Sequence, residues 1–215
     1  MSLPNLPALY PILDAGFLPA DKSRGKVLAG LVAGLAEAGV EILQYRNKQR
    51  RDADILRDAE IIRAAAAASL RLILNDYVDL VAVTGFGGVH LGQQDMPPGE
   101  ARSRLGTDLI IGVSTHNEAQ LRAAALEPAD YIAIGPVFAT ASKENPDPVV
   151  GIDGVRLARR LTEKPVVAIG GITLENVAEV WAAGADSVAL ISNIFGAVDP
   201  LHAAAEFMRI NQSPT

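Results

Sequence analysis

Eight short apolar runs recur along this chain, and their alternation with segments of another period constrains the fold more than any other feature. The runs are ALYPILD (8–14), VEILQYR (40–46), RLILND (71–76), GVHLG (88–92), LIIGVS (109–114), DYIAIGP (130–136), PVVAIGG (165–171) and DSVALIS (186–192). Each is rich in Val, Ile and Leu on both faces, as expected of strands covered on both sides. Between them lie Ala-rich stretches with apolar residues at spacings of three or four: Val27, Leu28, Leu31 and Leu35; Ile55, Leu56, Ile62 and Ala66; Leu174, Val177 and Trp181. Strands alternating with helices pair in parallel through right-handed crossovers. Eight such units predict an α/β fold, a single-domain (β/α)8 TIM barrel with its core over about 8–210. A doubly wound open sheet is the alternative, and the absence of GxGxxG after the first run weakens its dinucleotide-binding form.

Helix punctuation agrees with this reading. Asn117 with Gln120 resembles a capping box, and Asp199-Pro200 reads as an N-cap followed by proline at the first helical position. Gly39, Gly85 and Gly184 follow helical stretches. The Ala64 to Ala68 run reads as helix of high propensity.

Composition narrows the function. With 215 residues, 49% of them hydrophobic, the chain can bury a large core. Nineteen basic against twenty-five acidic residues give a net charge of −6, which argues against a polyanion-binding surface and leaves room only for a local basic pocket. No cysteine is present, so disulfides, thiolate catalysis and sulfur-ligated metals are excluded. No stretch reaches the roughly 18 apolar residues of a membrane span, and a cytoplasmic location is expected.

The second run, VEILQYRNK, carries its polarity on one face. Val40, Ile42, Gln44, Arg46 and Lys48 share a side by strand alternation, so that face passes from apolar to doubly positive. In a barrel, chemistry gathers where strands end. The other runs also end in polar residues: Asn75 and Asp76; Gln93 and Asp95; Ser114, Thr115 and His116; Thr140, Ser142 and Lys143; Gly170 and Gly171; Ser192. Each taken singly has an ordinary reading, such as a solvated strand end for QYRNK or a helix cap for Asn75-Asp76. Their placement at the same ends of successive strands is what points to a site.

Arg46, Lys48 and Lys143 with neighbouring hydroxyls suit a phosphate-rich anion. Asp76 and Asp95 would repel that anion unless a cation bridged them, and Mg²⁺ is the natural choice because it binds through one or two carboxylates plus substrate phosphates and water. The glycines of IGGIT and the start of the segment after ALIS offer backbone N–H groups to a second phosphate.

The ordered set QYRNK, LILND, GVHLGQQD, IGVSTHN, GPVFATASK, AIGGI and ALIS resembles the thiamine-phosphate synthase (thiamine-phosphate pyrophosphorylase) family over about residues 8 to 200. The resemblance implies a transferase of thiamine biosynthesis on a (β/α)8 barrel. It would join 4-amino-2-methyl-5-hydroxymethylpyrimidine diphosphate to hydroxyethylthiazole phosphate with release of pyrophosphate, in a Mg²⁺-dependent dissociative reaction. It implies that Gln44 contacts the pyrimidine and that Arg46, Lys48, Asn75, Ser114 and Lys143 hold the diphosphate, with Arg46, Lys48, Lys143 and Ser114 catalytic. Asp76 and Asp95 would ligate Mg²⁺, and Thr140, Ser142, Gly171, Ile191 and Ser192 would receive the thiazole phosphate. Ser142 stands where the family usually repeats threonine, and Asn193 where a small residue is common; its amide is expected at the phosphate or as a cap of the last helix.

A site rich in cations and metal ligands but without an evident nucleophile fits a reaction driven by neutralising a leaving group. On this reading His90, His116 and His202 take no catalytic part; His90 packs within its strand and His202 lies on a helix surface. Two competitors stand beside it. One is a thiazole tautomerase on the same barrel, with His116 transferring protons, which needs neither a diphosphate clamp nor metal carboxylates. The other is a non-catalytic ligand-binding protein. The expected partners are small-molecule substrates, with no nucleic acid or membrane, and a homo-oligomer is left open.

Overall fold

The computed structural model describes residues 6–48, 51–140 and 147–212, with the side chains of the last two of these excepted. Its centre is a closed parallel barrel of eight strands in sequence order. They are β1 (Leu9–Asp14), β2 (Ile42–Arg46), β3 (Arg71–Asn75), β4 (Gly88–Leu91), β5 (Ile110–Thr115), β6 (Tyr131–Ile134), β7 (Val166–Ile169) and β8 (Ser187–Leu190). The barrel closes by pairing Leu9 with Val188 and Pro11 with Leu190. Around it run α1 (Arg24–Glu37), α2 (Asp52–Ala65), α3 (Val78–Thr84), α4 (Pro98–Leu105), α5 (Glu118–Leu126), α6 (Gly151–Leu161), α7 (Val177–Ala182), α8 (Ser192–Phe195) and α9 (Pro200–Gln212). The eight-strand expectation is met, each run trimmed by a residue or more at its ends, except where the fifth gains Thr115.

Strand alternation divides the apolar residues into two cores. Leu43, Tyr45, Leu72, Leu74, Val89 and Ile111 face outward onto the helices. Tyr10, Ile12, Ile42, Ile73, Tyr131, Ala133, Val167 and Ala189 fill the barrel interior. One close approach governs that interior: a Cβ on Gly112 would lie 2.0 Å from Cζ of Tyr131, so the ring of Tyr131 crosses the barrel over a position where only glycine leaves room.

The helices dock through stripes such as Leu28, Val32 and Leu35 in α1. Both N-caps form: Asn117 Oδ1 accepts from Gln120 N at 3.0 Å, and Asp199 Oδ1 accepts from Leu201 N and His202 N. Gln120 Oε1, however, accepts from His116 N at 2.7 Å, one residue before the N–H that a capping box would use. Gly85 ends α3 in the left-handed conformation, with φ 66°. Three further expectations need correction. Val27 is half-exposed, one step off the buried stripe. Leu174 lies before α7, because Asn176 Oδ1 accepts from Thr173 N and turns the chain there. The alanine run is only half helical: α2 stops at Ala65, and Ala67 accepts from Leu70 N in the turn that delivers β3. The need to re-enter the barrel overrides alanine's propensity there.

A polar clamp fastens the outer side of β2. Arg24 of α1 donates from Nη2 to Asp58 of α2 at 2.6 Å. Tyr45 donates its hydroxyl to the same carboxylate and accepts from Asn47 Nδ2 at 3.2 Å. Tyr77 reaches the Asn47 carbonyl at 3.1 Å. The strand end that aims Arg46 and Lys48 is therefore held from behind by α1, α2 and the segment before α3. Among the described residues no helix is long and apolar enough to cross a membrane.

Candidate active site

Inward-facing residues at the C-terminal ends of the strands converge at the barrel mouth. Gln44 and Arg46 follow Ile42 on the inner face of β2; Asn75 follows Ile73 on β3; Ser114 follows Gly112 on β5. Gln44 and Asn75 are buried, Arg46 and Ser114 partly so, and Lys48 about half-exposed. Asn75 Nδ2 is buried without a protein partner. An amide donor left this way costs stability unless a ligand satisfies it.

The charges fall into two groups. Arg46 donates through Nη1 to Asp14, its register partner on β1. Lys48 Nζ lies 2.6 Å from Asp76 Oδ2. Asp76 in turn meets Asp95: the two carboxyls are within side-chain hydrogen-bonding range, and Asp95 is held above the usual carboxylate range by burial first and by the charge of Asp76 next. Gly92 N donates to Asp95 Oδ2 at 2.7 Å and partly offsets this. Among the described residues Asp76 is also the single non-glycine residue with positive φ, at 71°, fixed by its N–H donating to the His90 carbonyl at 2.8 Å. Aspartate tolerates that conformation better than most residues, and the turn it makes directs its carboxylate to Lys48 at the end of β2.

Among the described residues two cations, Arg46 and Lys48, thus face three carboxylates, Asp14, Asp76 and Asp95. Paired carboxylates such as Asp76 and Asp95 have the chemistry to suit a hard divalent cation. Among the described residues no third carboxylate or imidazole joins them in a ligand cluster. Such an ion would draw its remaining ligands from phosphate oxygens and water, the usual habit of Mg²⁺.

Across the mouth, the loop after β6 and the loop after β7 pack backbone to backbone. Phe138 N donates to Gly170 O at 2.9 Å, and Val137 N to Ile169 O. Gly171 has φ 65°, and a Cβ there would lie 2.5 Å from Ala139 O, so only glycine fits. This sets Ala139, and Thr140 after it, beside the β7 loop, while Ile191 and exposed Ser192 lie at the start of α8. Asn193 donates to the Ile172 carbonyl, tying the two last loops together, and it lies within α8 rather than capping the last helix. Ser142 and Lys143 lie outside the described residues.

His116 is held by the Gly135 carbonyl at 2.6 Å from Nδ1, and its Nε2 lies 3.5 Å from Asp147 Oδ2. His202 is exposed on α9. His90 does more than pack within β4: its ring faces the barrel interior and bonds both Tyr131 and Ser114. Asp14, Tyr10, Tyr131 and His90 were missed as site residues. The parity of ALYPILD, which sets Tyr10, Ile12 and Asp14 on one face, was the available signal for the first two.

At the opposite end of the barrel a cleft is lined by Arg102, Asp130 and Lys164. Its cations are engaged in holding the frame: Arg102 binds Asp130 and the Leu109 carbonyl, and Lys164 the Ala124 carbonyl. That cleft is structural.

The fold is that of a parallel eight-stranded barrel whose mouth gathers cations, hydroxyls, amides and paired carboxylates at the strand ends, the place where barrel enzymes carry their chemistry. A family model described as thiamine monophosphate synthase matches residues 9–194. The thiamine-phosphate synthase of Koribacter versatilis (strain Ellin345) is 48% identical over 209 residues, covering 97% of this chain and 98% of that one. The thiamine-phosphate synthase of Caldicellulosiruptor saccharolyticus is 41% identical, covering 85% and 83%. The solved thiamine phosphate pyrophosphorylase from Pyrococcus furiosus superposes with TM-score 0.82 at 30% identity, over 94% of each chain. The chain belongs to the thiamine monophosphate synthase family, and with it to the transferases.

Proposed function

We propose that the mouth joins 4-amino-2-methyl-5-hydroxymethylpyrimidine diphosphate to hydroxyethylthiazole phosphate, giving thiamine phosphate and pyrophosphate. The observation that carries this reading is the pairing of Asp76 with Asp95 beside Lys48, within a mouth that also holds Arg46 and the unpartnered Nδ2 of Asn75. Arg46, Lys48 and Asn75 bind the diphosphate, and Lys143 is assigned to it by the family resemblance. Ser114 donates to the same group. Gln44 offers its amide to the aminopyrimidine. Thr140, Ser142, Gly171, Ile191 and Ser192 take the thiazole phosphate on the other side. Asp76 and Asp95 would hold Mg²⁺, which when bound supplies neutralising charge to the leaving group.

The bond from the pyrimidine methylene carbon to the diphosphate oxygen breaks, and its electron pair leaves with pyrophosphate. The electron-rich aminopyrimidine delocalises the resulting cation. The thiazole nitrogen then donates its lone pair to that carbon and forms the new C–N bond. No side chain need act as a nucleophile; the protein stabilises charge and excludes water.

The test is pyrophosphate release by the purified enzyme with each substrate omitted in turn, with and without Mg²⁺. Release that needs both substrates and the metal is expected. Turnover unaffected by chelation, or pyrophosphate formed at full rate without the thiazole, would overturn the reading.

A further inference from the structure

We propose that Tyr10, Tyr131 and His90 form a positioning relay that fixes which way the Ser114 hydroxyl and the Gln44 amide point into the mouth. The inference rests on the proposed roles of those two end residues. The chain of contacts is continuous across five strands. Gln44 Nε2 donates to the Tyr10 hydroxyl at 3.2 Å. The Tyr10 and Tyr131 hydroxyls lie 2.9 Å apart. Tyr131 is 2.9 Å from His90 Nδ1, and His90 Nε2 is 2.8 Å from Ser114 Oγ.

The direction follows from counting protons. An amide nitrogen only donates, so the buried Tyr10 proton finds an acceptor in this chain only if it goes to Tyr131. The Tyr131 proton then goes to His90 Nδ1. That nitrogen is therefore the acceptor, and the imidazole carries its hydrogen on Nε2. Nε2–H donates to Ser114 Oγ, which leaves the serine's own proton for a partner in the mouth. At the other end, Gln44 presents its carbonyl oxygen as an acceptor. One relay thus sets a donor for an anion on β5 and an acceptor for an amine on β2.

The surroundings lock this arrangement. Tyr10 and Tyr131 are fully buried and meet edge to face at 5.9 Å, while the His90 ring stacks on Tyr131 at 5.6 Å. Gly112 gives the Tyr131 ring its space. Buried hydroxyls of this kind are exposed to a large penalty if any link is lost, so the relay is all or none. Two phenylalanines would fill the same volume without that liability, and the polar version is explained by its two ends.

Two measurements test it. Nitrogen NMR of histidine-labelled wild-type enzyme in weakly alkaline buffer is expected to find His90 in the Nε2–H tautomer. The Nδ1–H tautomer would overturn the relay whatever the enzyme turns over. In kinetics, Tyr131→Phe is expected to lower kcat about tenfold or more, with KM for the pyrimidine diphosphate changed less than about threefold. The double variant Tyr131→Phe/Ser114→Ala is expected to be slowed by less than the product of the two single effects, since part of what Tyr131 does is done through Ser114. Effects that multiply, or a Tyr131→Phe enzyme with full kcat and only a lower Tm, would make the tyrosine merely structural. His90→Gln, which keeps an acceptor and a donor, is expected to retain more activity than His90→Leu. Should Tyr131→Phe not fold, Tyr10→Phe enters the same cycle with Gln44→Ala. A wild-type enzyme that releases no pyrophosphate counts against the proposed function, while the tautomer still decides the relay.

Discussion

Lys48 at the end of β2 and Asp76 at the end of β3 form an ion pair of 2.6 Å across neighbouring strand ends, and that aspartate simultaneously confronts Asp95. Lys48 is about half-exposed, so the pair contributes at most about 1 kcal/mol and is readily exchanged for a better partner. We expect Lys48→Met to leave urea stability within about 1 kcal/mol of wild type. The same variant should raise KM for the pyrimidine diphosphate about tenfold, read from initial rates.

The facing carboxylates store repulsion in the metal-free protein. Asp95 has a raised folded pKa, so the folded state holds that proton more tightly than the unfolded chain does. Its contribution to stability is therefore present at low pH and is lost as pH rises from the ordinary carboxylate value through the raised one. Asp76→Asn removes one cause of the shift. In the presence of a chelator it should flatten that fall and stabilise the protein at neutral pH, while Mg²⁺-dependent turnover drops. Denaturation at several pH values checks the first part, and Mg²⁺ titration of activity the second.

Asp95→Asn should raise the Mg²⁺ concentration needed for half-maximal rate and leave the fold intact, because Asp95 sits in the loop after β4, outside both apolar cores, and an amide oxygen can still accept from Gly92 N. Circular dichroism with a metal titration decides it; a collapse of the fold would reassign the residue as structural.

Arg46 is oriented by Asp14 and has guanidinium nitrogens left for an anion. Arg46→Ala should lower kcat about a hundredfold or more, the scale for losing one donor to a transition state. Asp14→Asn should cost less and should be felt through Arg46, so the double variant should be no worse than Arg46→Ala. Steady-state kinetics on the four proteins tests both statements.

The clamp behind β2 is a matter of stability. Asp58 is fully buried and joined to Arg24 and Tyr45. Asp58→Ala leaves a buried hydroxyl and a guanidinium without their partner, and should destabilise by about 3 kcal/mol in urea unfolding. Gly112→Ala should cost about 1–3 kcal/mol, since the methyl would drive Tyr131 from its place.

The barrel was legible in the sequence because its strands, covered on both faces, had to be apolar throughout, and nothing else in the chain shares that texture. The polar mouth was legible because Gln44, Arg46 and Lys48 interrupt that texture with a period of two. What escaped is what depends on closure. Asp14 reads as the last residue of an apolar run until register sets it against Arg46. Tyr10 and Tyr131, 121 positions apart, read as ordinary strand formers until the barrel brings their hydroxyls together. Gly112 carries no local turn signal; its reason lies in a ring from the next strand.

The seam between β1 and β8 has a consequence for the order of events in the cell. Asp14 comes with the first strand and Ser192 directly after the last, so the ribosome releases the two sides of the cavity far apart in time. A nascent polypeptide lacking the Leu9 to Val188 pairing has an open sheet edge and no enclosed chamber. Turnover should therefore begin abruptly when that seam is zipped, and a truncated translation product would be inert however many of its substrate-binding groups had already been made.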